Sequence, residues 1–225
     1  MTLGRPRLHL RLADSTNERA RALAGAGAPH GTLVTATEQT AGRGRQGRTW
    51  VGPPGRALLF SLVLREFDDL VPLRAGLAVA DIAGADARVK WPNDVLLDGR
   101  KVAGILVEGR PQEGWAVLGI GVNVAVDLDD LPAEVRGIAG TLGRPVTDLE
   151  PALAELLGAL AARLREPATA TVAALRARDA LLGRAITWAG GSGTGAGVDE
   201  RGRLLVQTDG GVVALDAGEV HLGTV

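Results

Sequence analysis

The run from Thr40 to Trp50, Thr-Ala-Gly-Arg-Gly-Arg-Gln-Gly-Arg-Thr-Trp, places the tightest limit on what this chain can fold into. Three glycines and three arginines fall within Gly42–Arg48, and Gly52-Pro53-Pro54-Gly55 follows almost at once. Glycine lets a backbone approach a ligand closely, and guanidinium groups neutralise a polyanion. Gly42, Gly44 and Gly47 spell G-x-G-x-x-G, and Gly42 to Thr49 differs by one residue from a P-loop, with Arg48 in the lysine position. Either motif needs a helix to begin at the last glycine, so that phosphate sits on its N-terminus. Two prolines in the following run prevent that helix. A dinucleotide fold and a P-loop are both excluded, and the run reads as a basic loop between strands. Taken alone, such a loop is ordinarily a solvated one.

Composition decides whether the loop is part of a wider basic surface. Net charge is −1 over 225 residues, so the arginines are a local device and the molecule is no polycation. With 46% hydrophobic residues the chain can bury one substantial core and a small appendage. The absence of cysteine removes disulfides, a thiol nucleophile and a cysteine metal site. No apolar run approaches the roughly 18 residues of a membrane span, and no signal-peptide core opens the chain. A soluble, cytoplasmic protein without membrane or nucleic-acid partners is expected. Of 25 basic residues only Lys90 and Lys101 are lysine, and asparagine occurs only at 17, 93 and 123. Sparing two lysines in so arginine-rich a chain points to a need for a compact charge on a flexible stem.

Along the chain, Leu8, Leu10 and Leu12 alternate with polar residues as in a half-buried strand. Asp14-Ser15-Thr16-Asn17-Glu18 opens a helix to about Ala26, with Glu18 spaced from Ser15 as in a capping box. The same hydroxyls and amide suit a neutral polar ligand, and position alone leaves both readings open. Residues 31–38 read as a strand with Gln39 at its exit, 57–64 as a more apolar strand, and Leu70 to about Ala85 as a helix packed on the sheet. Asp98-Gly99 between apolar runs marks a hairpin. A two-residue turn there sets Leu96 opposite Lys101 and Asp94 opposite Ala103, with Lys90, Asp94 and Lys101 on one face. An ordinary ion pair explains that cluster, but small residues Ala103 and Gly104 beside Lys101 also leave room for a ligand. Asn123 is the lone polar residue in an apolar strand from Trp115 to Val126, so it needs a backbone or ligand partner. Two amphipathic helices, 148–165 and 169–182, show no chemistry, and His9, His30 and His221 lack ligand spacing.

After Gly183 the texture changes. Residues 185–188, 204–208, 212–215 and 219–222 form short strands joined by glycine-rich turns. The expectation is an α+β fold: residues 1–182 as a mixed, largely antiparallel sheet with packed helices, then 183–225 as a small SH3-like β-barrel.

Five segments together resemble biotin–protein ligases: Ser15-Thr16-Asn17, Gln39 to Trp50, Lys90-Trp-Pro-Asn-Asp94, Lys101-Val-Ala-Gly-Ile-Leu106 and Gly119-Ile-Gly-Val-Asn123. The resemblance spans essentially the whole chain, and both lysines and all three asparagines fall inside it. It implies a class II synthetase-like catalytic fold. It also implies two half-reactions, biotin with ATP and Mg²⁺ to biotinyl-5′-adenylate, then transfer to a lysine of a biotin carboxyl carrier protein domain. Only about fourteen residues precede the S-T-N segment, so the form without a helix-turn-helix repressor domain is expected.

The same resemblance implies roles. Lys101, Arg45 and Arg48 are the catalytic cations, with Lys101 bridging the biotin carboxylate and the α-phosphate. Biotin is held by Ser15, Thr16, Asn17, Gln39, Gly42, Arg43, Gly44, Arg45, Lys101 and Gly104. The nucleotide side falls to Arg43, Arg45, Arg48, Trp50, Lys90, Asn93, Asp94, Lys101 and Asn123, with Asp94 also the candidate Mg²⁺ ligand. Trp91 is expected beside Trp50 as a wall of the site. An exposed sheet edge is compatible with a homodimer. The competing readings are a lipoate–protein ligase, a nucleic-acid module using the arginine loop, and a non-catalytic carrier-binding scaffold. The absence of tyrosine and the near-neutral balance weigh against the nucleic-acid reading.

Overall fold

A computed structural model describes residues 3–216, 218 and 220–222. A strand, β1 (Arg7–Ala13), runs into helix α1 (Thr16–Gly25) and returns as β2 (Leu33–Gln39). The crossover helix makes this pair parallel, as a connection of that length permits. Four more elements complete the meander: β3 (Ala57–Leu64), α2 (Val71–Ala83), the short β4 (Arg88–Lys90) and β5 (Asp94–Leu97). Long strands β6 (Arg100–Arg110) and β7 (Trp115–Asn123) then insert between β5 and β3, giving the order β1-β2-β3-β7-β6-β5-β4. Every contact after the first is antiparallel. A four-residue helix α3 (Ala133–Arg136), α4 (Leu149–Arg163) and α5 (Ala168–Ala177) follow.

Strand pleating sorts the two faces. Leu58, Phe60, Leu62 and Leu64 of β3 join Leu118 and Ile120 of β7 in a core shared with α2 and α4. The residues between them, Val63 and Val117, pack on Ala20 and Ala24 of α1. Ser61, Gly119, Gly121 and Asn123 have the same parity as Val63 and Val117, so they share the α1 face. Expected as half-buried, Leu8 and Leu12 are instead 39% and 56% exposed. They lie on the edge strand, where α1 covers only Leu10.

Asp98 and Gly99 form the hairpin turn with φ of 50° and 74°, matching the paired positive φ of a type I′ turn. Leu97 faces Arg100 and Leu96 faces Lys101 as expected, but a bulge follows and Asp94 pairs with Gly104, not Ala103. One extra residue at Val102 shifts the register. Lys90 pairs with Asp94 across Trp91-Pro92-Asn93, so Pro92 does not disturb that end.

The C-terminal sheet contains five strands rather than four: β8 (Ala185–Trp188), β9 (Gly191–Val198), β10 (Leu204–Thr208), β11 (Gly211–Leu215) and β12 (His221–Leu222). Their order is β11-β10-β9-β8-β12, all antiparallel. Glu219, expected to begin the last strand, lies outside the described residues. The additional strand, β9, reads Gly-Ser-Gly-Thr-Gly-Ala-Gly-Val. Glycine is required there because a Cβ at Gly195 would strike the carbonyl of Leu181. Ile186, Val198, Leu204 and Val206 of this sheet belong to the same apolar core as α2 and β3.

Candidate active site

A cavity of about 180 Å³ opens on the α1 face of the first sheet. Ser15, Thr16, Asn17, Gln39, Arg43, Gly44, Arg45, Arg48, Trp50, Asn93, Lys101, Gly104 and Asn123 all line it. Five separate sequence segments therefore meet in one place. Lys90 and Asp94 line a smaller recess beside it, shared with Arg45, Arg48 and Asn93. Gly42 is buried at the base of the loop, where a Cβ would strike the Trp50 carbonyl.

One end of the cavity is neutral and polar. Ser15 occupies the N-cap position of α1 but makes no side-chain cap bond. Glu18 turns away to Arg43 at 3.2 Å and Arg21 at 3.6 Å, so the expected capping box is not formed. The Ser15 N–H instead donates to Asp14 Oδ1 at 2.7 Å, which holds that carboxyl below its usual range. The Thr16 N–H donates to Gln39 Oε1 at 2.6 Å. This acceptance orients the amide, leaving Gln39 Nε2 to donate elsewhere. Ser61, fully buried on β3, lies 2.6 Å from Asn17 Oδ1 and 2.8 Å from Thr16 Oγ1. A serine has one proton. Giving it to Asn17 Oδ1, the shorter contact, leaves the Thr16 hydroxyl to donate to Ser61 Oγ or to Gln39 Oε1 at 3.1 Å. Asn17 Nδ2 then donates to Glu108 Oε2 at 2.9 Å.

The other end is cationic. Residues 42–50 form a small closed loop: Gly44 N–H donates to Arg48 O at 2.6 Å and Trp50 N–H to Gly42 O at 3.0 Å. Arg45 Nη1 reaches Asn93 Oδ1 at 3.4 Å, and Asn93 Nδ2 donates to Ile105 O at 2.9 Å. Lys101 Nζ pairs with Asp94 Oδ1 at 2.7 Å and lies 5.7 Å from the centre of the Trp50 ring. The Trp50 indole rests on β6 and β7, where a Cβ at Gly104 or Gly121 would collide with it. Its Nε1 is buried without a partner. Asn123 combines both open readings: Nδ2 donates to Gly140 O at 2.8 Å, while Oδ1 is buried and unpaired. Trp91 is not a wall of this cavity. It lines the adjoining recess instead, is 4% exposed, and its N–H donates to Gly202 O at 3.0 Å in the turn between β9 and β10.

Ser61 and Glu108 were not among the expected site residues. Ser61 is the one polar side chain in an otherwise apolar strand, and Glu108 closes the apolar run that begins at Val102. Both signals existed, yet each also suits a sheet residue with no role. No group of three or more histidine or acidic side chains able to hold a metal occurs among the described residues. Nor is any helix there long and apolar enough to cross a membrane.

The geometry can be set beside known proteins. The model of the Biotin/lipoate A/B protein ligase family matches residues 10–125, and that of the Biotin protein ligase C terminal domain matches residues 182–223. A biotin--[acetyl-CoA-carboxylase] ligase of Paracoccus denitrificans is 36% identical over 93% of this chain and 98% of its own length. A bifunctional ligase/repressor BirA of Bacillus spizizenii is 34% identical over 98% of this chain and 75% of its own. The solved structure of the Aquifex aeolicus biotin protein ligase in complex with biotin and ATP superposes with a TM-score of 0.85. It shares 28% identity and covers 97% of this chain and 100% of that one. A cavity built from five ligase-like segments, two family matches in order and relatives aligned over nearly the whole chain lead to one conclusion: this chain belongs to the biotin protein ligases of the biotin/lipoate ligase family.

Proposed function

We infer that the protein activates biotin with ATP and transfers it to a lysine of a biotin carboxyl carrier protein domain. The observation that carries this reading is the polarity of one cavity: a neutral hydrogen-bonding end at Thr16 and Gln39, and a cationic end at Arg45, Arg48 and Lys101. A ureido ring offers both N–H donors and a carbonyl acceptor, which suit Thr16 Oγ1 and Gln39 Nε2, with Ser15 beside them. A dithiolane ring offers neither. Seating lipoate there would leave those polar groups unsatisfied, at about 1–3 kcal/mol each. Biotin is favoured over lipoate on that ground.

In the first step a biotin carboxylate oxygen attacks the α-phosphorus, the bond to the bridging oxygen breaks, and pyrophosphate leaves. Two anions meet, so cations placed before the reaction lower its barrier. Lys101 sits where it can bridge the carboxylate and the α-phosphate, leaving Asp94 as it does so. Arg43, Arg45 and Arg48 line the approach of the phosphates, with Lys90 in the adjoining recess. Asn93, Asn123 and Trp50 take the nucleoside; the unpaired Oδ1 of Asn123 and Nε1 of Trp50 are one acceptor and one donor for it. Gly42 and Gly44 let the loop backbone come close, and Gly104 keeps the floor open. Mg²⁺ is usually held by one or two carboxylates together with substrate phosphates. Asp94, with 14% of its side chain exposed, fits as that carboxylate. The ion supplies charge neutralisation on the phosphates when bound. In the second step the unprotonated acceptor amine attacks the acyl carbon, loses a proton and releases AMP.

The C-terminal sheet, taken from residue 183 and of SH3-like size, then covers one side of the catalytic domain formed by 1–182. A cytoplasmic enzyme, acting without nucleic acid and able to pair through its free sheet edge, completes the reading. Its test is incubation with ATP, Mg²⁺ and a purified carrier domain, with biotin or lipoate, followed by mass spectrometry of the carrier. A biotin adduct on one carrier lysine is expected. A lipoyl adduct, or none with either acid, contradicts the reading.

A further inference from the structure

Resting on the ligase reading, we propose that Glu108 is a positioning residue that ties closure of the arginine loop to the biotin-ring end of the cavity. Its two oxygens are divided between these regions. Oε2 accepts from Asn17 Nδ2 at 2.9 Å, while Oε1 takes Arg43 Nη2 at 3.1 Å and Arg21 Nη1 at 3.4 Å. One carboxylate on β6 therefore joins the first turn of α1 to the loop.

The alternative tether for Arg43 is Glu18, at 3.2 Å. Glu18 has 52% of its side chain exposed and Glu108 only 21%. Exposed pairs contribute little, because water and salt screen them and two long side chains must be ordered. Glu108 is thus the stronger holder of the loop.

Its reach extends inward through a chain of hydrogen bonds of 2.6–2.9 Å. Asn17 donates to Glu108 and accepts from Ser61, which shares a hydrogen bond with the Thr16 hydroxyl, and the Thr16 N–H orients Gln39. Asn17 is 4% exposed and Ser61 fully buried, so this chain has little freedom to rearrange. A ligand that settles Thr16 and Gln39 also settles Asn17, and with it the carboxylate whose other oxygen holds Arg43. Ring occupancy and loop closure draw on the same carboxylate, and the loop is what keeps water and stray amines from an activated acyl group.

The test compares wild type, Glu108→Gln, Arg43→Gln and the double variant by two measurements. Amide hydrogen exchange without ligand reads the loop. In Glu108→Gln, residues 42–49 should exchange about tenfold faster, while β3 and β7 exchange as in wild type. Arg43→Gln should exchange at least as fast, since it also gives up the exposed contact with Glu18, and the double variant should add little to Arg43→Gln because the Glu108 tie is already cut. Release of preformed adenylate, trapped with hydroxylamine, should also quicken about tenfold in Glu108→Gln. Loop exchange unchanged from wild type overturns the proposal, as does faster loop exchange without faster adenylate release. Should Glu108→Gln not fold, Arg43→Gln carries the same two readouts. Wild type that forms no adenylate from biotin and ATP would refute the ligase reading instead, and the loop comparison, which needs no substrate, would still decide whether Glu108 holds the loop.

Discussion

Ser61 has no surface in contact with solvent, yet Thr16 and Asn17 both depend on its hydroxyl. Ser61→Ala leaves the buried amide oxygen of Asn17 without its partner, while the Thr16 hydroxyl keeps Gln39 Oε1 at 3.1 Å. A loss of about 1–3 kcal/mol is expected, measured by chemical denaturation, together with a raised KM for biotin. Arg45 works at the other end, where it spans from the loop to Asn93. Arg45→Gly removes that span and loosens the loop, so biotin should appear on lysines of bystander proteins. Bystander labelling no higher than wild type would sink the closure idea. At this scale the sequence was informative wherever a residue type was rare: two lysines and three asparagines in the chain, four of which line the cavity and the fifth, Lys90, the recess beside it. It was uninformative where a common residue is special only by placement, as with Ser61, Glu108 and the N-cap of α1.

The β5–β6 hairpin was legible because Asp98-Gly99 admits few turn types, whereas the bulge at Val102 has no local signal and moved Asp94 by one register position. Lys101 still reaches Asp94, because its long side chain absorbs the shift. Strand β9 was illegible for the opposite reason: its glycines answer to backbone crowding against Leu181, not to strand propensity. The link between α5 and β8 gives a pH prediction. Asp179 there accepts Leu181 N–H with Oδ1, while Oδ2 is buried without a partner, and burial pushes the carboxyl up. A raised folded-state value means the contribution is favourable below the unfolded carboxylate value and is lost as pH rises through the raised one. Stability of Asp179→Asn relative to wild type should therefore improve from acid to neutral pH. Urea denaturation at both pH values checks this, and a difference independent of pH contradicts it.

For the whole molecule, one apolar core runs from β3 and α2 into the second sheet; Trp91 donates to Gly202 O in the β9–β10 turn and Arg176 to Val198 O of β9. The change of texture at Gly183 made the second sheet visible in the sequence. The shared core was not visible, since it depends on which apolar faces meet. Because the buried residues of the second sheet belong to that shared core, the protein should unfold in one calorimetric transition whose calorimetric and van't Hoff enthalpies agree. Two separated transitions would show that the sheets are held independently.

The claim on which all this depends is that the cavity activates biotin, with Lys101 as the charge at the reacting centre. ATP–pyrophosphate exchange, run with biotin, lipoate or neither, tests it most directly in wild type and Lys101→Ala. Exchange is expected with biotin alone, and a loss of about 10²–10³-fold in Lys101→Ala, as when a preorganised transition-state donor is removed. Exchange with lipoate but not biotin, or near-wild-type exchange without Lys101, would contradict the account.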